Sequence, residues 1–245
     1  MTPARHTELA GNLAAIRARV AAACAAAGRD ASEITLIAVT KTRPAEDVVA
    51  LAGLGQGDFG ENRDQEASPK AAAVAEATSD PVRWHFIGQL QTNKAHRVVR
   101  YASVVHSVDR VRLVRALGNA ASAAAEEGPA VPAAVPLTCL VQVSLDGDAA
   151  RGGALLSQLP EIAAAIEATH GLALGGVMAV APLGVAPETA FALLRPLSDT
   201  VREVNPAATV ISAGMSGDLE AAVRNGATHL RIGTALLGNR SLPVL

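Results

Sequence analysis

Lys41 follows the apolar run Ile34-Thr35-Leu36-Ile37-Ala38-Val39, at the point where a buried strand hands its last side chain to whatever lies beyond it. A primary amine held there can add to a carbonyl and form a Schiff base. A solvated lysine that merely ends a strand is the plainer alternative. Far along the chain, Ser212-Ala213-Gly214-Met215-Ser216-Gly217-Asp218 runs from a strand through glycines into a helix. Free backbone N–H groups and the Ser216 hydroxyl can hold an anion there, unless Ser216 is only a helix cap. Arg231-Ile232-Gly233-Thr234 then joins a glycine, which lets a ligand approach the backbone, to a threonine donor. Arg231 can face a ligand ring or form a salt bridge at a barrel mouth. An amine opposite an anion cradle suits a phosphorylated carbonyl compound.

The elements that must position these residues are eight apolar, strand-like runs: Ile34 to Val39, Asp58-Phe59, Arg83 to Ile87, Ser103 to Ser107, Leu137 to Val143, Leu174 to Val180, Ala208 to Ser212 and His229 to Ile232. Helical segments separate them at Pro44 to Ala52, Glu61 to Ala77, Thr92 to Arg100, Asp109 to Glu126, Ala154 to Thr169, Pro187 to Val204 and Ser216 to Asn225, with an extra helix from Thr7 to Ala27 in front. Half the residues are hydrophobic but only 2% are aromatic, so small aliphatic side chains must supply a close helix-on-sheet core. This pattern predicts an α/β fold, a single (β/α)8 TIM barrel over residues 1–245 with an extra N-terminal helix; an open doubly wound sheet is the other architecture that fits. Gly128 to Pro136 reads as a long connection inside that domain.

Barrels place their sites at the C-terminal ends of the strands. Those ends present Lys41, Asn62, His85, His106, Gln142, Met178, Ser212 with Met215 and Ser216, and Arg231 with Gly233 and Thr234. The N-terminal ends offer little convergent chemistry. Phosphate is most often bound by the loops after strands seven and eight, where Ser216, Gly233 and Thr234 lie. Two ligand classes fit the lysine and the cradle: pyridoxal 5′-phosphate, or a sugar phosphate processed by a Schiff-base lyase.

Other classes recede. A balance of 21 basic against 23 acidic residues lacks the excess that binding nucleic acid requires. Cys24 and Cys139, set in an Ala-rich helix and an apolar strand, read as reduced buried thiols of a cytoplasmic protein. No secretory h-region or membrane-length run is evident, and the six histidines show no metal-ligand spacing, although His85 and His106 could meet at the barrel mouth. Gly55-Gln56-Gly57-Asp58-Phe59-Gly60 spells a dinucleotide fingerprint, but it follows a helix instead of opening one. Glu61 and Asn62 could cap the next helix, and Lys94 with Arg97 could form a secondary anion site or be surface charges.

Six ordered motifs, Ala38-Val39-Thr40-Lys41-Thr42-Arg43-Pro44, Phe59-Gly60-Glu61-Asn62, Trp84-His85-Phe86-Ile87-Gly88-Gln89-Leu90-Gln91-Thr92-Asn93-Lys94, Ser107-Val108-Asp109-Arg110, Gly214-Met215-Ser216 and Arg231-Ile232-Gly233-Thr234-Ala235, strongly resemble the YggS/PROSC family of pyridoxal phosphate homeostasis proteins. The resemblance implies the N-terminal barrel of alanine racemase, with Lys41 carrying pyridoxal phosphate as an internal aldimine. It further implies Ser216, Gly233 and Thr234 at the phosphate, Arg231 at the pyridine nitrogen, and Asn62 and Met215 near the cofactor. His85 lies in a family motif without a role that can be derived. Arg151 stands where family members often carry lysine, which leaves any lysine-specific role of that loop open.

An arginine at the pyridine nitrogen weakens the ring as an electron sink. Racemisation would also need a second acid or base, for which alanine racemases use a tyrosine from a C-terminal domain. Here the chain ends at Leu245 soon after the eighth strand, and its one tyrosine, Tyr101, precedes strand four, where a surface or packing role is expected. The expectation is therefore a monomeric carrier of pyridoxal phosphate without catalytic residues or turnover, serving pyridoxal phosphate-dependent apoenzymes. A racemase-like enzyme and a sugar phosphate lyase are the alternatives.

Overall fold

The computed structural model describes residues 1–127, 136–148 and 152–238. Its strands are β1 (Thr35–Val39), β2 (Asp58–Glu61), β3 (Arg83–Phe86), β4 (Ala102–Val108), β5 (Leu137–Gln142), β6 (Leu172–Met178), β7 (Val210–Ser212) and β8 (His229–Ile232), and they close a parallel barrel in chain order. The open-sheet alternative is excluded by the pairing of β8 with β1, which sets Ile37 opposite Arg231 and Ala38 opposite Ile232. Most of the predicted connection at residues 128–136, and Arg151, lie outside the described residues.

The helices are α1 (Pro3–Ala26), α2 (Ala45–Gly53), α3 (Asp64–Ala77), α4 (Ala95–Val98), α5 (Val111–Glu127), α6 (Leu159–Glu167), α7 (Pro187–Phe191), α8 (Leu194–Val204), α9 (Leu219–Arg224) and α10 (Thr234–Leu237). Several differ from the sequence expectation for local reasons. The segment from Pro187 to Val204 breaks in two because the Pro196 ring lacks an N–H and crowds the carbonyl of Ala192. A 3₁₀ turn at Leu156–Gln158 precedes α6, whose first turn holds Pro160. Glu61 belongs to β2, where it pairs with Phe86.

The extra helix α1 starts with Thr2 accepting the Arg5 N–H at 3.3 Å. Leu9, Leu13, Ile16 and Val20 bury one face of α1, which packs against α2, α9 and α10. The Arg5 guanidinium donates to both carboxylate oxygens of Asp47 (3.2 and 2.6 Å) and to the Leu237 carbonyl. Asn12 donates to the Leu236 carbonyl, while Arg19 binds the Ser216 carbonyl and the Glu220 carboxylate. Contrary to the sequence reading, α1 with its 24 residues is long and apolar enough to cross a membrane. In this fold its apolar stripe is spent on packing, Arg5 and Arg19 on defined ion pairs, and Arg17 on the Leu54 and Gly55 carbonyls.

Two different materials fill the barrel. Val104, Leu140 and Met178 form an apolar cluster apart from the main core, with Val180 and Val210 against it. Beside it the lumen holds a line of polar side chains. His85 Nε2 lies 2.9 Å from Asp58 Oδ1, His85 Nδ1 lies 2.9 Å from His106 Nε2, and His106 Nδ1 lies 2.9 Å from Ser212 Oγ. Strands β4 and β7 are not neighbours, so His106 and Ser212 meet only across the lumen. Burial pushes the His106 imidazole well below its ordinary value and His229 down to about 4; it also lowers His85, against the pull of Asp58.

Outside the sheet, a buried ion pair pins the loop that carries Lys41. Lys70 Nζ, on α3, lies 2.6 Å from Glu61 Oε1, 2.9 Å from Glu66 Oε1 and 2.9 Å from the Thr40 carbonyl. Thr40 Oγ1 donates to Glu61 at 2.7 Å, and Glu66 accepts the backbone N–H of Thr42. Thr42 is the non-glycine residue held at positive φ (63°). That conformation disfavours an L-residue, so surrounding bonds must hold it.

Lys70→Met should cost about 3–5 kcal/mol, because it strands the Glu61 carboxylate in the interior, and Lys70→Met with Glu61→Gln should recover much of the loss. Urea unfolding of the two variants measures this; equal losses would contradict the pairing. Acid should also unfold the protein early. The buried imidazoles stay neutral in the fold but take up protons below about pH 6.5 once unfolded, so stability should fall with pH by about 1.4 kcal/mol per unit for each histidine. For His229 the loss should continue until about pH 4. Urea midpoints that do not change between about pH 7 and about pH 5 would contradict it.

Candidate functional site at the barrel mouth

The β1–β2 register sets Val39 beside Gly60, so the two strands release Lys41 and Asn62 side by side at the C-terminal rim. On its other flank β1 meets β8, which brings Gly233 against Val39. Lys41, Gly233 and Thr234 line one cleft of about 460 Å³. Lys41 is half-buried, and among the described residues no hydrogen bond or ion pair engages its ammonium. The Asn62 Oδ1 atom is buried without a hydrogen-bond partner among the described residues.

The loops that carry Ser216 and Gly233 touch. Ser216 Oγ accepts the backbone N–H of Ala235 at 3.3 Å, which joins the turn after β7 to the first turn of α10. The Ser216 hydroxyl proton stays free to donate outward. Two glycines work differently here. Gly214 has φ +92°, and a Cβ on it would meet Ala222 Cβ at 2.6 Å, so packing demands the glycine. A Cβ on Gly233 would reach only ordinary contact with Val39, so the fold tolerates a side chain that the cleft would have to accommodate.

Arg231 lies inside the mouth, 5% exposed. Its guanidinium donates to Ser212 Oγ at 2.6 Å and to the Ala179 carbonyl at 2.9 Å. Among the described residues it forms no salt bridge, which removes the mouth ion pair as its explanation. Burial pushes it down to about 10, with Asp218 opposing.

Some other expectations are corrected and others stand. Met178 sits in the apolar lumen cluster, and Met215 is 41% exposed on the rim. His85 and His106 do meet, but within the lumen, on a line that leads away from the mouth to Asp58. The N-terminal strand ends therefore do hold convergent chemistry: Asp58, His229 and a cleft of about 380 Å³ that Asp58 lines with Arg17 and Gln56. Arg97 pairs with Asp64 at 3.3 Å, a structural use rather than an anion site. Tyr101 is 3% exposed within the core, so it is a packing residue and not a surface one. Cys24 and Cys139 are free and buried.

Sequence reasoning missed Lys70, Asp58, Arg19 and the Asp218 carboxylate, which accepts the Met215 N–H at 2.5 Å. A signal existed for the lumen: His85 stands between Trp84 and Phe86 and His106 beside Val105, so a polar ring breaks each apolar strand.

A family model described as the alanine racemase N-terminal domain matches residues 11–241. The pyridoxal phosphate homeostasis protein of Mycobacterium tuberculosis is 46% identical over 250 residues, 98% of this chain and 96% of that one. Its Escherichia coli counterpart is 36% identical over 240 residues, 95% and 97% of the two chains. Among solved structures, PipY of Synechococcus elongatus with PLP bound is similar with a TM-score of 0.78 and 31% identity, covering 94% of this chain and all of that one. Alanine racemase from Corynebacterium glutamicum, at 15% identity and a TM-score of 0.66, shares the barrel over 98% of this chain and 63% of its own. From its closed barrel and its full-length relatives, this chain belongs to the pyridoxal phosphate homeostasis protein family, built on the alanine racemase N-terminal domain.

Proposed function

We propose that this protein holds pyridoxal 5′-phosphate reversibly at Lys41 and serves intracellular pyridoxal phosphate homeostasis without turnover of its own. The observation that carries this reading is the meeting of a half-buried, unpaired lysine with the Gly233-Thr234 step in one cleft, a step that the Ser216 turn touches through the Ala235 N–H. The residues fit the group: an unpaired amine, backbone and hydroxyl donors, a buried arginine, and the Asn62 Oδ1 atom with no partner of its own. The relatives' names, and PipY with PLP bound, support the same reading.

Pyridoxal phosphate supplies an aldehyde that condenses reversibly with a primary amine. Lys41 provides that amine. The Ser216 hydroxyl and the Gly233 and Thr234 N–H groups would hold the phosphate. Arg231 keeps N–H donors beyond the two it spends inside the barrel, and one of them would face the pyridine nitrogen. A guanidinium there leaves the nitrogen unprotonated, which disfavours carbanion chemistry. Asn62 and Met215 would flank the ring. Tyr101 is buried in the core and supplies no second acid or base. Two buried thiols suit the cytoplasm, and we take the recipients to be pyridoxal phosphate-dependent apoenzymes met by a monomer.

Purified protein mixed with pyridoxal phosphate should gain a visible absorbance band, and borohydride followed by peptide mapping should place the label on Lys41. Lys41→Ala should lose band and label while keeping its circular dichroism. A wild-type protein that stays colourless, or that borohydride labels only with a sugar phosphate, would overturn the cofactor reading, and robust racemisation of alanine would overturn the absence of turnover.

A further inference from the structure

We propose that Ser212, His106, His85 and Asp58 are positioning residues that act as a one-way hydrogen-bond relay through the barrel, fixing Arg231 from below. The inference rests on the reading that Arg231 meets the cofactor ring, but its geometry stands without any ligand.

Both ends of the line have a fixed sense. Arginine can only donate, and an ionised carboxylate can only accept. Burial alone would raise the Asp58 carboxyl, but the His85 hydrogen bond and the Arg83 charge hold it below the ordinary range, so it is ionised. His85 Nε2 must then carry a proton for Asp58, which leaves its Nδ1 to accept from His106 Nε2. His106 Nδ1 must in turn accept, and among the described residues the proton it takes is that of Ser212 Oγ, whose lone pair already receives Arg231. Every donor has an acceptor, both imidazoles are neutral Nε2–H tautomers, and no proton is missing or left over.

Adding a proton to either ring would break this count. A second proton on His106 would point at Ser212, strip the serine of its acceptor and set a positive ring near Arg231. Asp58 is reached from solvent at the opposite end, where its side chain is 20% exposed beside the small cleft. The charged and titratable groups facing the line are Arg83 on β3, 3.5 Å from Asp58, and His229 on β8, whose ring centre is 6.4 Å from that of His85. Asp218, on the loop after β7, faces Arg231 at the other end. The relay thus keeps Arg231 in one orientation and a proton away from it.

The test has a ligand-free arm and a loaded arm. Nitrogen NMR of histidine-labelled protein without cofactor should show His85 and His106 as neutral Nε2–H tautomers from about pH 8 to about pH 5.5. His106→Leu should weaken pyridoxal phosphate binding roughly tenfold, as loss of support for a charged donor implies, and should shift the pH response of the visible band. His106→Gln, which can accept from Ser212 and donate to His85, should restore both. Should His106→Leu fail to fold, Asp58→Asn serves instead, and the fixed tautomers should give way to mixed ones. An Nδ1–H tautomer or a charged ring at His106 in the wild type would overturn the relay, as would a folded His106→Leu protein with unchanged affinity and band. A wild type that shows the tautomers but never labels Lys41 would leave the relay standing and sink the cofactor reading.

Discussion

Everything at the mouth depends on one pairing, the parallel ladder between the first strand and the last. Residues about 190 positions apart become neighbours because Ala38 lies opposite Ile232. Without that closure Lys41 and Gly233 would sit at two open edges, and neither would have a partner for chemistry. The pairing also brings Arg231 beside Ile37, with its side chain buried inside the barrel. Its donors must therefore go to protein acceptors, and the Ala179 carbonyl and Ser212 hydroxyl meet that need.

The lumen explains why a small-residue sequence can hold a buried guanidinium. Barrel interiors are usually packed with branched aliphatic side chains, and one side of this one follows that rule through Val104, Leu140 and Met178. The other side exchanges bulk for hydrogen bonds, which is tolerable only when each group is satisfied. Specificity for one arrangement comes from those bonds, since a donor-only end and an acceptor-only end cannot be interchanged.

What the sequence reveals, and what it hides, divides along the range of the interactions. Lys41, the glycine-bearing turn at Ser216 and the Gly233-Thr234 step each announce themselves within a few residues, as a strand passing into a turn. The barrel follows from counting apolar runs, because eight of them separated by helices leave few ways to bury both faces of a sheet. Asp58, His85, His106 and Ser212 sit on four strands, and a single chain carries no local mark of which polar residues will meet across a closed interior. Lys70 resembles a solvated lysine on an Ala-rich helix; only the curl of the β1 loop over α3 turns it into a buried counter-ion. Element ends shifted where proline chemistry acted one turn away, as Pro196 did in splitting α7 from α8.

The first helix carries a consequence for how the chain becomes itself. Arg5, Asn12 and Arg19 bind carbonyls of Leu237, Leu236 and Ser216, which a ribosome delivers 232, 224 and 197 residues later. Until then Leu9, Leu13, Ile16 and Val20 lack the α9 and α10 surfaces they cover in the finished fold. Such long-range closure slows folding and leaves apolar surface waiting in the nascent chain. The helix is thus made long before the surfaces that satisfy it, so a polypeptide halted before β8 lacks both the Gly233-Thr234 step and the α10 surface that α1 covers.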